Sequence, residues 1–193
     1  MSATRTFTLA DVAMPRAGAL PQAILVVGAS LFTALAARIA VPLPWSPVPL
    51  TGQTFAVLLT GAVLGARRGF AAQVLYLAQA AAGLPVLAGG VGGVVAFAGP
   101  TAGYLLAFPI AAAITGSLAE RGWDRGFLSM FAAMSFGSGM ILALGLAGLS
   151  RFVPPGALLA QGLLPFVPGD LVKAVLAAGA FPAAWRWVGR PGA

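Results

Sequence analysis

The chain has 193 residues, of which 60% are hydrophobic and only 8% are charged, and its formal net charge is +7. A soluble domain carries charge on about a quarter of its residues, so this chain has too little polar surface to cover a water-soluble globule, and we expect an integral membrane protein. The absence of cysteine and histidine excludes disulfides, thiolate chemistry, and the commonest metal ligand and general base.

The charged residues are few and dispersed. With four acidic residues in the whole chain, neither a carboxylate-built metal site nor a hydrolytic site is expected, so the sequence predicts no cofactor and no enzyme activity. The basic residues stand singly or in pairs at the ends of apolar runs, whereas nucleic-acid binding needs them clustered on a soluble face. Their distribution is typical of residues that set membrane topology and argues against nucleic-acid binding.

The chain begins with a polar segment, residues 1–20, that lacks an apolar core of signal-peptide type, so we expect a retained cytoplasmic tail. The first membrane span is predicted over residues 21–41, long enough to cross a hydrocarbon core of roughly 30 Å. Small residues recur four apart in this span, among them Ala29, Thr33 and Ala37. Such spacing lets another helix approach closely, either from this chain or from a partner membrane protein, and the pattern leaves both open.

A proline-rich connection follows the first span. Residues 41–50 contain four prolines, which remove backbone donors and fix φ, so a stiff, non-helical segment is predicted. The next apolar run, residues 53–66, is short for a full crossing on its own. Arg67 and Arg68 predict a loop, and a third span is expected over residues 69–86.

The middle of the chain is glycine-rich. Residues 87–99 are uncharged and contain Gly89 and Gly90, which predict a loop with unusual backbone freedom. No Gly-Lys-Ser/Thr sequence follows, so this is not a nucleotide-binding loop. The remaining spans are predicted over residues 101–118, 126–149 and 170–187. A short apolar piece at residues 157–164 cannot cross and is predicted to be re-entrant or interfacial.

These spans define a topology. Six crossings place both termini on the same side, and that side collects eight arginines: Arg5, Arg16, Arg67, Arg68, Arg121, Arg125, Arg186 and Arg190. Only Arg38 and Arg151 fall on the other side. Because positive charge is retained inside, both termini are expected to be cytoplasmic. The prediction is therefore an all-α membrane protein with a six-helix domain, residues 21–188, between tails at residues 1–20 and 189–193.

The strongest candidate site is a charge pair at the start of the last span. Lys173 is the only lysine of the chain, and it follows Asp170 by three residues, which places both on one face of a helix. Ionisable groups in a membrane segment are costly and mark functional sites. The alternative is that Asp170 only caps the helix and pairs with Lys173.

The predicted topology places this pair about one turn below the outer surface, beneath the proline-rich and glycine-rich loops. Other polar residues reach the same depth: Thr51, Gln53, Gln79, Thr101 and Tyr104. A carboxylate, an ammonium group, amides and an aromatic ring together suit a small solute with a polar head and an apolar body. We therefore predict an outward-facing pocket for such a solute.

Several ordered motifs also carry a family resemblance. They are SPVPLTGQT at residues 46–54, GAVLG at 61–65, AAGLPV at 81–86, GPTAGY at 99–104 and PGDLVK at 168–173. In this order, over about residues 21–188, the chain resembles the BioY family, the biotin-binding S components of energy-coupling factor (ECF) transporters.

The resemblance implies a six-helix S-component fold in the cytoplasmic membrane of a prokaryote. It also implies capture of biotin from outside and delivery inward together with a transmembrane T protein and two cytoplasmic ATPases. Carried over by motif, Asp170 and Lys173 become biotin-contacting residues, with Gln53, Gln79 and Tyr104 as weaker companions. Residue 79 is glutamine where the family pattern has asparagine, so the amide is kept on a longer side chain.

The remaining site candidates are Thr51, Thr101, Gly89 and Gly90, and the sequence does not decide which end of biotin Lys173 contacts. Two other functions stay open. One is a stand-alone secondary or facilitative carrier, coupled to protons through Asp170. The other is a membrane-embedded enzyme, which the missing histidine, cysteine and paired carboxylates disfavour.

Overall fold

A computed structural model describes residues 7–14 and 18–188, and this part of the chain is mostly helical. Its helices are α1 (Leu9–Ala13), α2 (Ala19–Ala36), α3 (Gln53–Leu64), α4 (Ala66–Ala81), α5 (Ala102–Ala119), α6 (Phe127–Leu149), α7 (Leu158–Gly162) and α8 (Val167–Val188). Much of the two predicted tails, including Arg5, Arg16 and Arg190 of the topology argument, lies outside the described residues.

Each of the six predicted spans overlaps one of the helices α2 to α6 and α8, but residues 37–41 of the first span and 82–86 of the third lie outside helices. Four segments of the described chain are long and apolar enough to cross a membrane: α2, α5, α6 and Pro155–Val188, which contains α8. Helices α3 and α4 have 12 and 16 residues. At about 1.5 Å per residue, each is shorter than a hydrocarbon core of roughly 30 Å.

The junction between α3 and α4 corrects one prediction. Arg67 and Arg68 lie in the first turn of α4 and not in a loop. The chain turns before these arginines, at Gly65, whose φ of 84° is readily adopted only by glycine. The Glu120 carboxylate accepts a hydrogen bond from the Ala66 N–H at 2.9 Å, which satisfies a backbone donor at the start of α4.

The proline-rich connection is a β-hairpin. Strands β1 (Ala40–Leu43) and β2 (Ser46–Thr51) pair antiparallel, with Val41 opposite Leu50. The prediction of a non-helical segment is confirmed, but the all-α class is wrong in this detail because it contained no strands. A two-stranded hairpin leaves each strand an unpaired edge, and prolines are tolerated there because no ladder hydrogen bond is lost.

Helix α7 is a short helix that packs against α6 and strand β2. Its five residues span about 8 Å, so it does not cross a membrane. The Ser46 hydroxyl of β2 donates to the Gln161 carbonyl at 2.7 Å, and the Tyr104 hydroxyl of α5 donates to the Gly162 carbonyl at 2.7 Å. These bonds tie the hairpin, α7 and α5 together.

Helix α5 packs against α3, α4 and α6 in the centre of the bundle. Glycines make the close approach possible. A Cβ added at Gly61 would overlap the Ala112 carbonyl of α5, and one added at Gly103 would overlap the Leu144 carbonyl of α6. Backbone contact of this kind is the usual packing mode of membrane helices, where small residues replace large apolar ones at the interface.

The small residues of the first span face this chain's own helices. Thr33 and Ala37 are fully buried, and the Thr33 hydroxyl accepts a hydrogen bond from the Gln73 amide of α4 at 3.1 Å. The interpretation of these two residues as a partner interface is therefore wrong, because they offer no surface to another protein. Ala29 is half-buried and lines an apolar groove between α2, α3 and α8.

Candidate functional site

A cavity of about 290 Å³ lies among β2, the loop after α4, and helices α3, α5, α6 and α8. This volume is close to the lower end of the range for small-molecule sites. Its polar lining comes from Thr51, Gln53, Thr54, Thr101, Tyr104, Asp170 and Lys173. Its apolar walls include Val48, Leu87, Leu105, Phe108, Ile141 and Phe166. The cavity therefore has mainly apolar walls and includes the Asp170–Lys173 pair that the sequence marked as the candidate site.

Asp170 and Lys173 form an ion pair within one turn of α8. Lys173 Nζ lies 3.1 Å from Asp170 Oδ1, and the two side chains are only 21% and 13% exposed. The ammonium group also donates to the Thr54 hydroxyl at 2.7 Å and to the Thr51 carbonyl at 3.3 Å. Three acceptors therefore match its three N–H groups. The second carboxylate oxygen, Asp170 Oδ2, accepts a hydrogen bond from Ser138 of α6.

These contacts decide against helix capping as the role of Asp170. Helix α8 begins at Val167, and the Asp170 N–H already donates to the Phe166 carbonyl at 2.9 Å, as in a helix interior. Its carboxylate oxygens bond to the side chains of Lys173 and Ser138. Asp170 therefore pairs with Lys173, as the capping alternative proposed, but it does not cap the helix.

Gln53 is held in the cavity wall by a tyrosine. Its amide N–H donates to the Tyr76 hydroxyl at 2.6 Å, and that hydroxyl donates to the Val86 carbonyl at 3.0 Å. Gln53 is only 4% exposed, so its side chain is fixed in orientation. The bond uses one amide N–H and leaves the carbonyl oxygen as an acceptor for a ligand.

Tyr104 contributes its ring to the cavity more than its hydroxyl. The hydroxyl proton is used by the bond to Gly162, and the ring packs against Phe166 with centroids 5.9 Å apart. The ring also lies on Gly145, where a Cβ would overlap it. Thr101 lines the cavity just before α5.

Three predicted site residues do not line the cavity. Gln79 lies on α4 outside its lining, and its Oε1 is buried with no hydrogen-bond partner among the described residues. Gly89 and Gly90 adopt positive φ angles of 71° and 74° in the loop after α4. Their neighbours Ala88 and Val91 line the cavity instead. The two glycines thus shape the loop without contributing lining atoms.

Two residues that contact the charge pair were missed. Thr54 lies within the SPVPLTGQT motif, so the motif itself could have indicated it. Ser138 stands in the middle of the apolar helix α6, among glycines and other small residues, and the sequence gives no signal that separates it from them. Only the packing of α6 against α8 brings its hydroxyl to Asp170.

The arrangement can bind a small molecule that has both hydrogen-bond donors and an acceptor. Asp170 and the Gln53 carbonyl oxygen accept hydrogen bonds, while Lys173 donates them. Within residues 7–14 and 18–188, no group of three or more acidic, histidine or cysteine side chains could hold a metal ion.

Comparison with known proteins gives a consistent result. Residues 7–190 match the profile of the BioY family. A biotin transporter BioY of Rhizobium etli is 40% identical over 158 residues, which cover 78% of this chain and 84% of the relative. A biotin transporter BioY of Thermotoga maritima is 40% identical over 156 residues, covering 79% of this chain and 90% of the relative.

The fold has a solved counterpart. The crystal structure of an S component for biotin from an ECF-type ABC transporter superimposes with a TM-score of 0.75 and 26% sequence identity. The superposition covers 90% of this chain and 93% of that chain.

Proposed function

Because the chain belongs to the BioY family, we propose that it captures biotin and takes part in biotin uptake as the S component of an ECF transporter. The observation that carries this proposal is the Asp170–Lys173 ion pair in the wall of a mainly apolar cavity of about 290 Å³. The family is one of substrate-binding transport proteins and not of enzymes.

Biotin suits the cavity chemically. Its ureido ring offers N–H donors and a carbonyl acceptor, its thioether ring is apolar, and its valerate chain ends in a carboxylate. We assign Asp170 and the Gln53 carbonyl oxygen to the ureido N–H groups. Lys173 meets either the ureido oxygen or the carboxylate. To donate a hydrogen bond to biotin, the Lys173 ammonium would have to give up one of its present acceptors. The Thr51 carbonyl would be lost first, since that bond is the longest at 3.3 Å.

The proposed topology has six crossings with both termini in the cytoplasm, and a membrane domain over residues 21–188 between two cytoplasmic tails. Helices α3 and α4 are short, so the hairpin and the loop after α4 would complete their crossings. The asymmetry of the arginines supports this orientation among the described residues. Arg67, Arg68, Arg121, Arg125 and Arg186 would lie inside, and Arg38 and Arg151 outside.

We further propose that biotin enters from outside the cytoplasmic membrane of a prokaryote, and that a T protein and two ATPases drive its delivery. The sequence has no Walker motif, so ATP hydrolysis requires separate subunits. Ala29 is the one residue of the predicted partner interface that remains partly exposed, and a contact with the T protein there is a prediction.

Reconstitution into liposomes tests this function. The purified chain, with and without a T protein and ATPases, is assayed for uptake of radiolabelled biotin. ATP-dependent uptake that requires all subunits supports the S-component role. Uptake by the chain alone that follows an imposed pH gradient would favour a proton-coupled carrier. A chain that binds no biotin in detergent would overturn the proposal altogether.

A further inference from the structure

Each member of the charge pair is held by a hydroxyl group from a different helix. Ser138 of α6 donates to Asp170 Oδ2, and Thr54 of α3 accepts from Lys173 Nζ at 2.7 Å. Ser138 is only 7% exposed and lies outside the cavity lining. Thr54 lines the cavity, but its hydroxyl is already engaged by the ammonium group.

These two hydroxyl groups restrain side chains that would otherwise be free to rearrange. Lysine has four rotatable side-chain bonds, and the ion pair on its own fixes only one oxygen of Asp170, at 3.1 Å. The Ser138 hydroxyl fixes the other oxygen, so the plane of the carboxylate is determined. The Thr54 hydroxyl and the Thr51 carbonyl fix the ammonium group.

We propose that Ser138 and Thr54 are positioning residues of the ligand site, which hold the carboxylate and the ammonium in their binding geometry before biotin arrives. The inference rests on the proposed function and deepens it. A site whose groups are ordered in advance loses less conformational entropy when the ligand binds, so preorganisation appears as affinity. Ser138 acts through Asp170, and Thr54 acts chiefly through Lys173.

The test is a pair of double-mutant cycles, read by calorimetric titration of biotin into the purified protein in detergent. Ser138→Ala and Thr54→Val each remove one hydroxyl group with little change of volume. Each is expected to raise the Kd by roughly tenfold, the effect of losing a hydrogen bond to a charged group. The conservative variants Ser138→Thr and Thr54→Ser restore the hydroxyl and are expected to restore most of the affinity.

The cycles distinguish positioning from a general loss of structure. Ser138→Ala should cost little further affinity when Asp170→Asn is already present, and Thr54→Val should cost little when Lys173→Met is present. A purely structural defect would weaken binding equally in both backgrounds. If the affinity of Asp170→Asn is too low to titrate, the rescue by Ser138→Thr decides the question.

The chain offers a matched control for each substitution. Ser135→Ala removes an exposed hydroxyl from the same helix, where it bonds to the Phe131 carbonyl. Thr60→Val removes a buried hydroxyl from α3 that has no hydrogen-bond partner among the described residues. Both controls are expected to bind biotin with wild-type affinity.

The outcomes separate this inference from the proposed function. Wild-type protein that does not bind biotin overturns the proposed function. Wild-type protein that binds, together with Ser138→Ala and Thr54→Val proteins of unchanged affinity, overturns the positioning roles alone. The positioning roles are also overturned if Ser138→Ala and Thr54→Val weaken biotin binding but their effects add fully to those of Asp170→Asn and Lys173→Met.

Discussion

The indole N–H of Trp185 donates to Asp124 Oδ2 at 2.6 Å. This bond joins the C-terminal end of α8 to the turn between α5 and α6. Along the helix, Trp185 lies about 22 Å from Asp170. Arg125 adds to the same junction, with its guanidinium 4.5 Å from the centre of the Trp185 ring. The helix that carries the charge pair is therefore fixed at both ends.

Asp124 is expected to reduce stability at neutral pH. It is fully buried, and its Oδ1 has no hydrogen-bond partner among the described residues. Burial raises the pKa of Asp124, against the smaller opposing effects of the Trp185 hydrogen bond and Arg125. Above the unfolded-state pKa of about 3.8, the folded state binds more protons than the unfolded state. Stability then falls as pH rises toward the raised folded-state pKa.

We therefore predict that Asp124→Asn stabilises the protein at pH 7, by about 1 kcal/mol, because the amide still accepts the indole hydrogen bond and carries no charge. Thermal unfolding in detergent between pH 4 and pH 8 measures this. The gain should be largest at the high end of the range. A variant that is less stable than wild type at pH 7 would contradict this account.

Asp11 has the opposite linkage. It pairs with Arg68 Nη2 at 2.6 Å and accepts hydrogen bonds from the backbone and hydroxyl of Thr8. Burial raises the pKa of Asp11, but the hydrogen bonds from Thr8 and Arg68 outweigh this and hold the pKa below its usual value. The contribution of Asp11 to stability is present above the unfolded-state pKa and is lost as pH falls through the folded-state pKa.

Asp11→Asn should therefore lower stability at pH 7 by about 0.5–1 kcal/mol, a small effect because both side chains are partly exposed. Thermal unfolding at pH 7 and at pH 3 provides the comparison. The difference between variant and wild type should shrink at pH 3, and a difference of equal size at both pH values would exclude the ionised carboxylate as its cause.

Gly61 and Gly139 provide a matched pair for helix packing. Gly61→Ala places a methyl group on the Ala112 carbonyl of α5, whereas a Cβ at Gly139 meets no atom within 4 Å. We predict that Gly61→Ala destabilises by about 1–3 kcal/mol through overpacking. Gly139→Ala should be neutral or slightly stabilising, since alanine favours a helix. Thermal unfolding in detergent measures both effects. Equal unfolding temperatures for the two variants would argue against the close α3–α5 contact.

The two glutamines predict a contrast in ligand binding. Gln53 lines the cavity and is oriented by Tyr76, whereas Gln79 lies outside the lining. Gln53→Leu should weaken biotin binding by roughly tenfold, because an acceptor for the ligand is lost. Gln79→Leu should leave the affinity unchanged. Fluorescence or calorimetric titration measures the biotin affinity of both variants. A reduced affinity of the Gln79→Leu protein would show that Gln79 contributes to binding.

The charge pair could be predicted from the sequence because its signal is local. Asp170 and Lys173 are three residues apart, and ionisable groups are rare in an apolar run. Ser138 and Thr54 could not be assigned in the same way, since their roles depend on contacts across 32 and 119 residues of sequence. A serine in an apolar helix most often bonds to its own helix, as Ser135 does.

Local rules also explain the errors in the fold. Prolines indicated correctly that residues 41–50 are not helical, but they did not reveal that β1 and β2 pair, because pairing depends on both strands together. The sequence predicts a loop at Arg67 and Arg68 because adjacent charges between apolar runs are typical of loops. Instead, Gly65 makes the turn, and α4 begins at Ala66. For Thr33 and Ala37, spacing alone could not tell an internal helix neighbour from an external one.

The central claim is that biotin binds at the Asp170–Lys173 pair. Titration calorimetry of biotin into wild-type, Asp170→Asn and Lys173→Met proteins tests it most directly, with Asp11→Asn as the control for loss of a carboxylate elsewhere. We predict saturable one-site binding by the wild type and by Asp11→Asn. Asp170→Asn and Lys173→Met should each lose at least about tenfold in affinity while remaining folded. Wild-type affinity in both folded variants would contradict the account.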